Sequence, residues 1–171
     1  VAQAVRAGLR APDLDNTRIA DLERGVSQAS LQLKDFAGAV SAARRAIEAN
    51  PASSASFGQL ADSLHAAGRD DDAAVAMVEG ILMTRDMALR AELLERYQRG
   101  LDPLGCAVVA GPNGPALNPD CPTVRRHSCS ALADAMRLYV RTNRRDAARQ
   151  LKAAAIQDSG CPTAPLNEIL P

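Results

Sequence analysis

The sequence predicts an all-α chain, and three observations carry that prediction. Alanine is abundant and favours close-packed helices. The aromatics are only Phe36, Phe57, Tyr97 and Tyr139, whereas a β-sandwich or barrel would use many aromatic and β-branched side chains. Apolar and small residues recur at spacings of three and four on both sides of short glycine or asparagine turns, which places them on single helical faces. At 171 residues, 47% of them apolar, the chain can bury a core without metals or crosslinks and is expected to form one domain of six or seven paired helices.

Taken in order, residues 1–9 are weakly amphipathic, and Pro12 ends that stretch. A first unit, about 20–53, reads Val26, Ser30-Leu31, then Lys34-Asp35-Phe36, Ala39, Ala43, Ala46-Ile47 and Asn50-Pro51. A second, about 54–87, reads Phe57, Leu60-Ala61 and Leu64, turns at Gly68, and resumes with Ala73, Met77 and Gly80-Ile81. Gly68 tolerates the positive φ that ends a helix cheaply, and the Asp70–Asp72 run suits a helix N-terminus. The small residues Ala61 and Ala73 fall where two antiparallel helices approach closely. Setting Ala39 against Ala73 gives a period of 34.

The stretch 88–128 is irregular. A helix carrying Ala91, Leu94 and Tyr97, with Thr84 as its cap, stops at Gly100. The loop 101–122 then holds five glycines and prolines between Cys106 and Cys121, so a small β-like hairpin is expected around Asn113-Gly114. A last regular unit, about 129–162, carries Leu132, Ala135-Met136 and Tyr139, turns at Asn143, and resumes with Ala148 and Ala155-Ile156.

These units resemble the tetratricopeptide repeat (TPR) family. The matching pattern is an aromatic, an apolar–small pair, a Tyr-like position and a small second-helix residue, closing near a proline. In this sequence Leu64 stands at the usual Tyr, Arg85 at the usual Pro, and Lys152 at a second-helix aromatic. The resemblance covers roughly 100 residues and implies an α-solenoid of antiparallel helix pairs with one hairpin-like insertion. It also implies a concave face lined by first helices that binds a peptide or partner protein. Projected onto this chain, that face takes Arg24, Gln28 and Gln32, then Gln59, Asp62 and His65, then Glu92, Arg96 and Arg99. The Lys/Asn set that clamps a C-terminal carboxylate in one branch of the family is missing.

Three readings compete for Cys106, Cys121, Cys129 and Cys161. A zinc site on Cys121, His127 and Cys129 lacks the short Cys-x2–4-Cys knuckle. Four buried free thiols would suit a reducing compartment. Two disulfides are favoured: Cys106 and Cys121 bracket the loop, and Cys129 and Cys161 fall at neighbouring ends of an antiparallel pair. Pairing Cys121 with Cys129 ranks next. Disulfides imply an oxidising compartment, such as a bacterial periplasm.

Twenty acidic and twenty basic residues cancel, and a neutral chain with so few aromatics is a poor nucleic-acid binder. No apolar run is long enough to span a membrane. The pairs Arg125-Arg126 and Arg144-Arg145 read as solvated turns rather than a basic patch, and no catalytic constellation or cofactor motif occurs around His65 or His127. The expected function is therefore a non-enzymatic protein-interaction scaffold without metal or cofactor. The chain starts at Val1, with no signal-like segment, so it reads as a piece of a longer protein. That motivates the rival expectation: a soluble periplasmic C-terminal domain of a polytopic membrane glycosyltransferase or oligosaccharyltransferase.

Overall fold

The structure, a computed structural model, describes residues 15–83, 87–101, 105–111, 114–157 and 160–171. It is all-α, with eight helices and one two-stranded hairpin among the described residues. The amphipathic stretch at 1–9, the Pro12 stop and the Thr84 cap lie outside the described residues. Two compact units divide the chain, Val1–Leu93 and Leu94–Pro171.

The first unit contains α1 (Asn16–Gln32), α2 (Phe36–Ala49), α3 (Ser54–Ala66), α4 (Asp70–Met83) and the start of α5 (Met87–Leu101). α1 packs on α2, α2 on α3 and α3 on α4, and α1 also packs on α3. This is the two-layer stacking of consecutive helix hairpins. Asp15 opens α1 by accepting a hydrogen bond from Arg18 N at 2.8 Å, and Asp35 opens α2 by accepting one from Gly38 N at 2.9 Å.

The α1–α2 and α3–α4 turns are built alike, and so is the α6–α7 turn of the second unit, where α6 is Pro122–Arg141 and α7 is Arg145–Gln157. The residue with positive φ is Lys34 (58°), Gly68 (72°) and Asn143 (58°) in turn. Its amide reaches back to Leu31 O, His65 O or Val140 O, while the next amide donates to Ser30 O, Leu64 O or Tyr139 O. These bonds satisfy the last carbonyls of the first helix. The same next residue, Asp35, Arg69 or Arg144, already accepts the first intrahelical bond of the second helix, from Ala39, Ala73 or Ala148. All three of those alanines are completely buried. Gly68 and Asn143 are turn residues by type; Lys34 is not, and it bears the strain of a left-handed side-chain residue.

Small residues let the first-unit helices approach closely. Ala61 and Ala73 are both fully buried. A Cβ added to Gly80 would lie 2.7 Å from Phe57 Cβ and 2.8 Å from Leu93 Cδ1, so only glycine fits there. Ala46 and Ala155 hold the equivalent places in the other two pairs, and both are buried.

In the second unit, Cys106 and Cys121 are bridged with Cα atoms 5.6 Å apart, and Cys129 and Cys161 with Cα atoms 5.5 Å apart. Between the first pair, β1 (Val108–Gly111) and β2 (Gly114–Leu117) run antiparallel, with Val108 opposite Leu117 and Gly111 opposite Gly114. The residues joining them, including Asn113, lie outside the described set. Asn118 closes the base: its amide donates to Ala107 O at 2.8 Å and its Nδ2 to Cys106 O at 2.9 Å. Pro122 starts α6 at its first turn. Cys129 therefore sits two turns inside the helix rather than at its start, and Arg125-Arg126 is helical rather than a turn. Beyond α7, residues 161–170 return to the core, and Cys161, Leu166 and Leu170 pack with Leu132, Met136, Ala148 and Ala155. This return contains the short helix α8 (Thr163–Ile169), whose seven residues are too few to show a period in sequence.

Candidate functional site

On α1 the exposed strip follows residues 21, 25, 28 and 32; on α3 it follows 55, 59, 62 and 66. The two strips are one repeat apart and include Gln28, Gln32, Gln59 and Asp62 from the projected face. Gln28, Gln32 and Asp62 are exposed, while Gln59 is half-buried. Arg24 lies beside the strip, and its Nη2 donates to Asp21 Oδ1 at 2.6 Å.

Gln59 has a structural role. Its Nε2 donates to Ser27 Oγ at 3.2 Å, Ser27 and Ser63 share a hydrogen bond of 3.0 Å, and Ser63 Oγ donates to Gln59 O at 2.8 Å. Each hydroxyl has one proton. Ser63 directs its proton to Gln59 O, so Ser27 must donate to Ser63. The result is a closed ring of hydrogen bonds joining α1 to α3, with both serines fully buried. His65 is exposed, its Nδ1 2.6 Å from Asp70 Oδ1 across the α3–α4 turn. Glu92 is exposed at the first-unit end of α5. Arg96 and Arg99 belong to the second unit, where Arg99 is exposed and pairs with Glu95 at 3.1 Å.

Behind the α1 strip, Glu23 is buried at the repeat position of Phe57 and Leu132. Arg45 grips it with two parallel bonds, Nε to Oε1 and Nη2 to Oε2, both 2.7 Å. The hydrogen bond to Glu23 holds the Arg45 guanidinium above its ordinary pKa, against the opposing effect of burial.

The second unit holds a groove of about 670 Å³ between α6 and the returning segment 160–166. Its floor is apolar, formed by the Cys129–Cys161 bridge with Ala133 and Leu166, and its charged lining is Arg125, Arg126, Arg137 and Asp134. Asp134 Oδ1 accepts from Arg137 Nη1 at 2.6 Å. Nothing in the sequence pattern marks this groove, because its second wall exists only once the disulfide brings 160–166 back onto α6.

Beside it, Tyr97 and His127 are buried in edge-to-face contact, with 2.6 Å between Tyr97 Oη and His127 Nδ1. Arg126 Nη2 lies 3.3 Å from His127 Nε2. A guanidinium only donates, so Nε2 accepts and Nδ1–H donates to Tyr97 Oη. His127 is thereby a buried strut between α5 and α6. With Cys121 and Cys129 each in its own disulfide, the three do not form a zinc-ligand set.

Among the described residues, no helix is long and apolar enough to cross a membrane. No protein-family model, curated protein or solved structure matches the chain.

Proposed function

We propose that this chain is a TPR-like protein-interaction module, without enzymatic activity of its own, that binds an extended peptide or a partner protein on the exposed strips of its first helices. The observation that carries this reading is the threefold recurrence of one helix–turn–helix unit with the same capping bonds and the same buried alanine. In the first unit two such hairpins stack and leave the polar side of each first helix facing solvent. Gln28, Gln32 and Asp62 form that surface in the first unit. Amides and a carboxylate on neighbouring helices suit the backbone and polar side chains of an extended polypeptide. The two disulfides support an extracytoplasmic setting, such as a periplasm.

Selection of a displayed random-peptide library against the whole oxidised chain tests this. Enriched peptides should lose roughly tenfold or more in affinity for a Gln28→Ala/Gln32→Ala/Asp62→Ala variant, as truncated interface anchors do. Peptides that bind the variant equally well, or a selection with no enrichment, would rule out the surface.

A further inference from the structure

We infer that the groove along α6 is a binding site for an extended acidic peptide, one that alternates carboxylates with apolar side chains. The site shares no residue with the α1–α3 strips, and it rests on the reading above only in taking a polypeptide as the partner.

Charge is the first argument. The whole chain is neutral, yet the charged lining of this groove is three guanidiniums, Arg125, Arg126 and Arg137, to one carboxylate, Asp134. Arg125 makes no ion pair with any described residue. Arg137 commits one nitrogen to Asp134 in an exposed pair, which is worth little and leaves its other donors available. Guanidiniums present a planar fork that matches a carboxylate.

Shape is the second. The lining runs along α6 from Pro122 to Arg137, about 22 Å at the helical rise. A strand of roughly six or seven residues covers that distance, whereas a small anion would fill one end only. The floor offers an apolar cleft, and it is rigid because the Cys129–Cys161 bridge ties its two sides together.

The opposite wall is the third. Pro162 and Pro165 line it and have no N–H to give. The charged donors that face an anion here are therefore the arginine side chains of the α6 wall. The outermost strip of α6, at Ser130, Asp134 and Arg137, is the repeat equivalent of residues 21, 25 and 28 on α1. The same helix side is thus deepened here into a groove.

The test is fluorescence anisotropy on the whole oxidised chain, using a labelled alternating Glu/Leu peptide and its Gln/Leu counterpart. The Glu/Leu peptide should bind and weaken as salt rises, and the Gln/Leu peptide should bind roughly tenfold or more weakly. An Arg125→Gln/Arg137→Gln variant should lose a similar factor. Exposed Ser130→Phe, which fills the cleft and keeps every charge, should also lose binding, while Gln28→Ala/Asp62→Ala in the first unit should not. Thermal melts confirm that each variant is folded. Equal binding of the two peptides, or full binding by the arginine and Ser130 variants, would overturn the proposal. So would binding of anionic phosphatidylglycerol vesicles or inorganic phosphate in place of the peptide. Loss of binding only in the Gln28→Ala/Asp62→Ala variant would reject the groove and leave the first-helix surface standing.

Discussion

In the first unit, α1 to α4 stack without a covalent crosslink, and their contacts run through alanines, Gly80 and the Ser27–Ser63–Gln59 ring. The second unit carries both disulfides, one across the hairpin base and one between α6 and the returning C-terminal segment. The difference follows from what each helix has beside it. Where one regular hairpin follows another, close approach of small side chains gives enough apolar burial. Where a glycine- and proline-rich hairpin replaces a repeat, few large apolar side chains are present, and the bridges supply the missing order.

Removing the Cys129–Cys161 bridge should widen that contrast most. The cysteines are 32 residues apart, and a loop of that size makes the crosslink worth about 3–4 kcal/mol. Calorimetry of a Cys129→Ala/Cys161→Ala variant should show that loss, with amide exchange in α1 to α4 left unchanged. An unaltered melting profile would mean that the second unit does not rely on its crosslink.

Within the first unit, Glu23 is the exception to apolar packing. Glu23→Gln should cost about 1–3 kcal/mol in urea unfolding, since it breaks a charge-assisted, bidentate pair of hydrogen bonds from Arg45 in a buried place. Glu23→Leu/Arg45→Leu, which imitates Leu132 in the other unit, should recover most of that loss. If the apolar pair is as unstable as Glu23→Gln, the ion pair does more than fill a core position.

The smallest expected effect lies at the turns. Lys34→Gly should stabilise the chain by roughly 0.5 kcal/mol, as relief of a left-handed residue outweighs the greater freedom of glycine in the unfolded chain. Gly68→Ala should do the reverse by a similar amount. A loss of stability in Lys34→Gly would show that the lysine side chain contributes to the fold in some other way.

Much of the scaffold was legible in the sequence, because Gly68 and Asn143 mark turns and Ala39, Ala73 and Ala148 mark the buried start of each second helix. The disulfide pairing was legible too, because Cys106 and Cys121 bracket the glycine- and proline-rich loop and Cys161 follows the partner of the helix that carries Cys129, although Cys129 lies two turns inside that helix rather than at its start. Lys34 gave no turn signal, and its left-handed φ is imposed by the helices on either side. The start of α6 was hidden because Pro122 reads as the end of the loop when the repeat is taken to begin at 129. The projected surface was only partly legible. Spacing finds the outer side of a helix, but it cannot tell that Gln59 turns back to Ser27, or that a return of the chain builds a wall beside Arg125.

The residue after each positive-φ position ends one helix and begins the next. One residue thus belongs to two helices, its N–H bonded to the first and its C=O to the second, and the turn has no slack. Adding a residue there would break the closing bonds of the first helix or the opening bond of the second, and would rotate the second helix by about 100°, turning Ala39, Ala73 or Ala148 away from its neighbour. Growth of such a chain is kept out of these turns, and the hairpin segment of this protein, from Gly105 to Cys121, lies between α5 and α6, outside the three tight turns. Length variants among natural relatives or engineered insertions should follow the same map, with tolerance after a second helix or a whole unit and none inside a pair.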